Sequence, residues 1–126
     1  MTDAQAKILI VDDEPNIVTA LEFLLEREGY CIKKAYNGME ALAVARQFHP
    51  DIVLLDVMMP EMDGFEAARR IRQLPSLENA KIIFLTAKGT QSDRQTGYNN
   101  GAEYYIVKPF DNAELVGIVN EVLVYG

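Results

Sequence analysis

The sequence predicts an α/β fold: a doubly wound parallel sheet of five strands in the order 2-1-3-4-5, flanked by five helices. Three observations carry this. Five short apolar runs alternate with five stretches of helical periodicity, which implies right-handed crossovers between parallel strands. The run Ile52-Val-Leu-Leu55 is apolar at every position, as a strand covered on both faces must be. Four runs also end in chemistry: Asp12-Asp13 after the first, Asp56 after the third, Thr86 after the fourth and Lys108 after the fifth.

Lys7 to Val11 is the first strand. Pro15 suits the first turn of a helix, where its missing N–H is not needed. Ile17, Leu21, Leu24 and Leu25 then recur at helical spacing up to Gly29, a natural stop. Tyr30 to Tyr36 reads as the second strand, with Asn37-Gly38 as a turn. Met39 to Phe48 is the second helix, with Ala41, Leu42 and Ala45 inward, and His49-Pro50 ends it. After the third strand, Pro60 and Gly64 break the chain, and Asp63-Gly-Phe-Glu66 fits a capping box. On that third helix Phe65, Ala68 and Ile71 face inward, while Arg69, Arg70 and Arg72 read as a solvated face. Lys81 to Leu85 is the fourth strand, a more polar helix runs from Gln91 to Asn100, and Gly101 stops it. Tyr104 to Val107 is the fifth strand; being adjacent, Tyr104 and Tyr105 point to opposite faces. Leu115, Ile118, Val119 and Val122 mark the inner face of a last helix.

With 126 residues, 49% hydrophobic and 25% charged, the chain is sized for one globular domain, and no repeat or linker divides residues 1–126. A net charge of −7 argues against a domain that grips nucleic acid. Residues 1–7, with Asp3, Gln5 and Lys7, do not make a leader, and no apolar stretch could span a bilayer; a cytoplasmic protein is expected. The lone cysteine, Cys31, excludes an internal disulfide and reads as a small core or boundary residue. The lone histidine, His49, reads as a surface residue at a helix end and leaves no room for a histidine-based metal site.

With five βα units the order 2-1-3-4-5 is one of the two common doubly wound solutions. Its switch point falls between strands one and three, at the carboxyl edge where open α/β sheets bind ligands. Neighbouring strands lie about 4.8 Å apart, so Asp12, Asp13 and Asp56 converge. Three adjacent carboxylates repel one another, and a divalent cation relieves the repulsion. Oxygen ligands with space left for water and a phosphate suit Mg²⁺. Adding the Thr86 hydroxyl and the Lys108 ammonium gives a nucleophile (Asp56), a metal site, a hydroxyl donor and a cation at one edge. That is a set for phosphoryl transfer, where positioning and charge neutralisation do most of the work. Met58, Met59 and Met62 read as loop packing, Asp63 as a helix cap and Glu61 as a solvated turn residue; alone, Asp12 and Asp13 could simply cap the first helix.

Over nearly its whole length the chain resembles the receiver domain of two-component response regulators, a flavodoxin-like fold. The resemblance rests on Asp12-Asp13, on Asp56 in Leu-Leu-Asp-Val-Met-Met-Pro-Glu-Met-Asp-Gly, on Thr86-Ala87 and on Lys108-Pro109-Phe110. It implies that Asp56 accepts a phosphoryl group from a phosphohistidine of a sensor kinase or phosphotransfer protein. Asp13 and Asp56 would hold Mg²⁺, with Asp12 acting directly or through water and Met58 through its backbone carbonyl. Thr86 and Lys108 would each meet a phosphoryl oxygen, and Tyr105 would be the switch aromatic that moves inward as Thr86 is drawn to the phosphate. The Lys108–Pro109 bond would be cis. The resemblance implies a phosphoacceptor, not a conventional enzyme, with output through helix four, strand five and helix five. That surface could serve a downstream protein, a fused output domain or a phosphorylation-dependent homodimer.

A phosphoryl group adds roughly 1.5 to 2 negative charges at one point, so its output needs a two-state element nearby. The polar segment from Lys88 to Asn100, with Gly89 and Gly97 and followed by Gly101, is the loosest candidate. Two positions that steer water in this family carry Met58 and Lys88 here, and a thioether orients water poorly; slow self-dephosphorylation is expected. Three rival functions would leave different patterns. A phosphatase or phosphotransferase of haloacid dehalogenase type should carry its Asp-x-Asp after the first strand. A flavin electron carrier should have a neutral phosphate loop where Asp12-Asp13-Glu14 stands. A receiver-like module that is never phosphorylated should lack acceptor residues that are all present.

Overall fold

The computed structural model describes residues 5–125, so residues 1–4 of the N-terminal stretch and Gly126 of the expected 1–126 unit lie outside the described residues. The elements are β1 (Lys7–Val11), α1 (Pro15–Glu26), β2 (Cys31–Ala35), α2 (Gly38–Phe48) and β3 (Ile52–Leu55). They continue with α3 (Gly64–Arg72), β4 (Lys81–Thr86), α4 (Gln91–Asn99), β5 (Tyr104–Val107) and α5 (Asn112–Tyr125). All pairings are parallel, and the sheet order is β2-β1-β3-β4-β5 as expected. The register aligns Val11 with Ala35 and Leu55, Leu55 with Phe84, and Thr86 with Val107. β1, β2 and β3 therefore end level, β4 and β5 run two residues further, and all five carboxyl ends lie along one edge of the sheet.

Alternation along the strands divides the core in two. Leu9, Val11, Val53, Leu55, Ile82 and Phe84 face α2 and α3, packing on Ala41, Ala45, Ala68 and Ile71. Ile8, Ile10, Ile52, Leu54, Ile83 and Leu85 face α1 and α5, packing on Leu21, Leu25, Leu115 and Val119. Burial on both faces explains why β3 shows no polar residue. Tyr105 lies in the first core, whereas Tyr104 is exposed, so the two rings do point to opposite faces.

Several local details differ from the sequence expectation. Asn37 is not a turn residue but the N-cap of α2: its Oδ1 accepts from the Glu40 N–H, and Gly38 opens the helix. Only half of the expected box at α3 forms. Asp63 accepts from the Glu66 N–H, but the Glu66 carboxylate turns to Arg69 and Arg70 instead of back to the cap. A complete capping box stands at α4, between Thr90 and Asp93. Arg72 does not belong to a solvated face. It donates to the carbonyls of Ala80 and Gly101 and to Glu103, whose Oε1 also accepts from the Ile82 N–H. One arginine thus ties the end of α3 to the start of β4 and to the turn after α4.

Candidate functional site

The register delivers the carboxyl rim. The Asp12 N–H donates to the Ala35 carbonyl and the Asp56 N–H to the Val11 carbonyl, which extends the β1 ladder one residue past each strand. Asp12 and Asp56 are buried, at 2% and 5% exposure, while Asp13 stands exposed at the mouth. Buried carboxylates need partners. Asp12 Oδ1 accepts from the Glu14 N–H at 2.9 Å, and Asp56 Oδ1 accepts from the Met58 N–H at 3.1 Å. One oxygen of each is thereby fixed by backbone. Asp12 caps a turn into α1 in this way; the helix N-cap itself is Glu14, which makes no side-chain capping bond.

Lys108 reaches in from the β5 side. Its Nζ lies 2.7 Å from Asp12 Oδ2, 3.7 Å from Asp56 Oδ2 and 3.7 Å from Glu14 Oε1. Burial alone would lower the lysine pKa, but the Asp12 hydrogen bond and the charges of Asp56, Asp12 and Glu14 outweigh it and hold the pKa above its ordinary value. Glu14 completes this acidic bracket. It is visible in the sequence as the third acid after β1, but nothing there places it on the lysine. The Lys108–Pro109 bond is cis.

Carboxylate oxygens of Asp12, Asp13 and Asp56 lie within 4.8 Å of one another. Such a set of hard oxygen donors, opened to solvent by Asp13, fits a small divalent cation; in the structure Lys108 provides the nearest positive charge. Met58 is exposed beside this set, whereas Met59 and Met62 are buried in the core above α2 and α3, as loop packing.

On the far side, Thr86 is fully buried and its Oγ1 accepts from the Lys88 N–H at 3.3 Å. The Lys88 carbonyl in turn accepts from the Tyr105 hydroxyl at 2.6 Å. A single residue's backbone therefore joins the strand-end hydroxyl to the aromatic residue three positions before Lys108. The Tyr105 ring already lies inward, at 2% exposure, beside Phe84 at 6.0 Å between centroids. Burial pushes its hydroxyl pKa up to about 12, so at neutral pH it remains a donor. Asp12, Asp13, Asp56 and Lys108 thus stand together at the carboxyl rim with Met58 exposed beside them. Thr86, at the end of β4, is joined through Lys88 to Tyr105.

Five βα units in this order, with a carboxylate cluster and a lysine at the switch point, define a class: doubly wound α/β proteins with an acidic site at the carboxyl rim of the sheet. Residues 8–120 match the family described as the response regulator receiver domain, and the chain belongs to that family, part of two-component systems, in which phosphorylation and Mg²⁺ are typical. It is 46% identical over 112 residues to the transcriptional regulatory protein ResD of Bacillus subtilis, covering 89% of this chain and 45% of ResD. The chain therefore spans about half the length of that relative. Chemotaxis protein CheY4 of Vibrio cholerae matches its fold with a TM-score of 0.90 at 34% identity, over 94% of this chain and 99% of that one. The receiver domain of sensor histidine kinase PA1611 from Pseudomonas aeruginosa, solved with a magnesium ion coordinated in its active site cleft, gives a TM-score of 0.86 at 34% identity, covering 96% and 99%. Among the described residues no helix is long and apolar enough to cross a membrane.

Proposed function

We propose that this chain is a cytoplasmic signalling switch in which Asp56 takes a phosphoryl group from a phosphohistidine of a sensor kinase or histidine phosphotransfer protein. The observation that carries the reading is the convergence of Asp12, Asp13 and Asp56 within 4.8 Å beneath a lysine that already contacts two of them. Residues 1–126 would act as one receiver unit.

In the reaction an Asp56 carboxylate oxygen attacks phosphorus, the new O–P bond forms, the P–N bond breaks, and its electron pair leaves on the imidazole. Asp12, Asp13, Asp56 and the Met58 carbonyl would hold Mg²⁺, which when bound supplies positive charge against the phosphoryl oxygens. Lys108 needs only to turn from Asp12 to meet one of those oxygens, since it lies 3.7 Å from Asp56 Oδ2. Thr86 would donate its hydroxyl proton to another, which its acceptance from the Lys88 N–H leaves free. Because Lys88 also holds Tyr105, a shift of Thr86 toward the phosphoryl group would bear on the β5–α4 surface, where a downstream protein, a fused output domain or a second copy would read the change.

The test is labelling with acetyl phosphate and Mg²⁺. The wild-type chain should take up one acyl phosphate and Asp56→Asn none. A stoichiometric acyl phosphate on the variant, or none on the wild type, overturns the assignment. The same labelled protein reports lifetime. Met58 presents an exposed thioether where a polar side chain could have positioned water, so decay should be slow without a partner phosphatase; a half-life of seconds would contradict this.

A further inference from the structure

We infer that Gly97, in the interior of α4, is a positioning residue for Tyr105: its missing side chain is what allows that ring to rest inward. A glycine there is otherwise unexplained. Its φ is not in the left-handed region, and inside a helix glycine is a poorer choice than alanine. The reason lies across the interface. A Cβ on Gly97 would stand 2.5 Å from Tyr105 Cδ2, 2.9 Å from Tyr105 Cε2 and 3.3 Å from Phe84 Cδ2. The two closest contacts are shorter than real Cβ atoms tolerate, so either the helix or the ring must shift.

The ring is the part able to move. Phe84 is locked between Tyr105 and Phe65, which meets it edge-on at 5.1 Å. Arg72 pins the turn after α4 through the Gly101 carbonyl. Beside Tyr105, by contrast, a surface groove of about 290 Å³ opens between Arg94, Val107, Glu114 and Ile118. Turned into that groove, the ring would lose its bond to the Lys88 carbonyl and with it the connection to Thr86. Position 97 therefore selects between two places for one aromatic ring, and the glycine selects the inner one. The consequence for signalling rests on the phosphoacceptor reading of Asp56; the selection itself does not.

The experiment is a double-mutant cycle of Gly97→Ala and Tyr105→Ala, read by thermal unfolding, with tyrosine nitration by tetranitromethane mapped by peptide mass spectrometry. Alone, Gly97→Ala should lower Tm although alanine is the better helix former. In the Tyr105→Ala background the same substitution should raise Tm. Nitration of Tyr105 should change from protected in the wild type to as reactive as the exposed Tyr104 in Gly97→Ala. A Tm change of the same sign in both backgrounds, or a Tyr105 still protected in Gly97→Ala, overturns the inference. If Gly97→Ala does not fold alone, folding of the double variant supports the collision with the ring, and failure of both overturns it. None of these readouts needs phosphorylation. Acetyl phosphate labelling of the wild type, run alongside, decides the Asp56 reading separately.

Discussion

On the β1–β3 side of the rim, both buried carboxylates are held by backbone donors, Asp12 by the Glu14 N–H and Asp56 by the Met58 N–H. The loop after β3 is pressed so tightly against the start of α3 that a Cβ on Gly64 would stand 2.2 Å from the Asp56 carbonyl oxygen. The β4–β5 side is held otherwise. Thr86 and Tyr105 share the backbone of Lys88, and Lys108 reaches the pocket through its side chain alone. The element lying over them, α4, has a polar sequence and Gly97 as its only buried residue. One side therefore fixes where a phosphoryl group would go, and the other can answer its arrival by exchanging single hydrogen bonds. A switch needs both, because a site that moved as a whole would lose the geometry that binds, and a wholly rigid one would transmit nothing.

The largest effect expected from this contrast lies on the fixed side. Gly64→Ala places a methyl group against the backbone of Asp56 and Val57, which the bonds from the Asp56 N–H to Val11 and from the Gly64 N–H to Val57 hold in place. Overpacking of this kind costs roughly 3 kcal/mol at its upper range. Urea denaturation should show a loss of that order, together with poorer phosphoryl labelling because the peptide of Asp56, the proposed acceptor, is displaced. A stable, normally labelled Gly64→Ala would mean that the loop after β3 is as adjustable as the β4–β5 side, and the contrast would fail.

Lys108→Met tests the bridge between the two sides. It leaves Asp12 and Asp56 buried without their cation, and their remaining backbone bonds and the open mouth should limit the loss to about 1–3 kcal/mol. Added Mg²⁺ should recover much of that loss if the three carboxylates bind it. The pH dependence has a definite sign. The lysine pKa is raised in the fold, so its contribution is complete below the ordinary lysine value near 10.5 and disappears as pH rises through the raised value. Wild-type stability should therefore fall on the alkaline side with a component that Lys108→Met lacks. Identical alkaline slopes would show that the lysine is not engaged as the geometry indicates.

The fixed side is also the legible side. Asp12, Asp13 and Asp56 announce themselves because each comes after an apolar run whose end is set by strand periodicity, and parallel register then aligns those ends. On the β4–β5 side the sequence places Thr86 and Lys108 at strand ends but does not reveal how they are connected. That Tyr105 lies inward, that Lys88 bonds both Thr86 and Tyr105, and that Gly97 serves packing instead of looseness all depend on how α4 approaches β5. No local pattern encodes that approach. Arg72 misleads for the same reason. Its neighbours Arg69 and Arg70 pair within the helix through Glu66, as a surface run should, but its own partners lie 8 to 31 residues away in sequence. Asn37-Gly38 shows a subtler limit: turn and N-cap favour the same residues, and only the side-chain bond to Glu40 tells them apart.

The smallest expected effect refines the picture of the fixed side. Glu61 has φ of 70°, the left-handed region that a glutamate enters reluctantly, and its side chain is exposed. The surrounding loop imposes that conformation: the Met59 N–H donates to the Val57 carbonyl, the Met62 N–H to the Pro60 carbonyl, and the Gly64 N–H returns to Val57. If these bonds, and not the glutamate, determine the loop's shape, Glu61→Asn keeps the shape and relieves strain, because asparagine tolerates this region better. The gain should be about 0.5–1 kcal/mol, a rise in Tm of a few degrees, with phosphoryl labelling of Asp56 unchanged. Increased stability with slower labelling would instead mean that the strain at Glu61 tunes the acceptor. No gain at all would mean that the loop is free to relax around residue 61, and the β1–β3 side would then be less rigid than its hydrogen bonds imply.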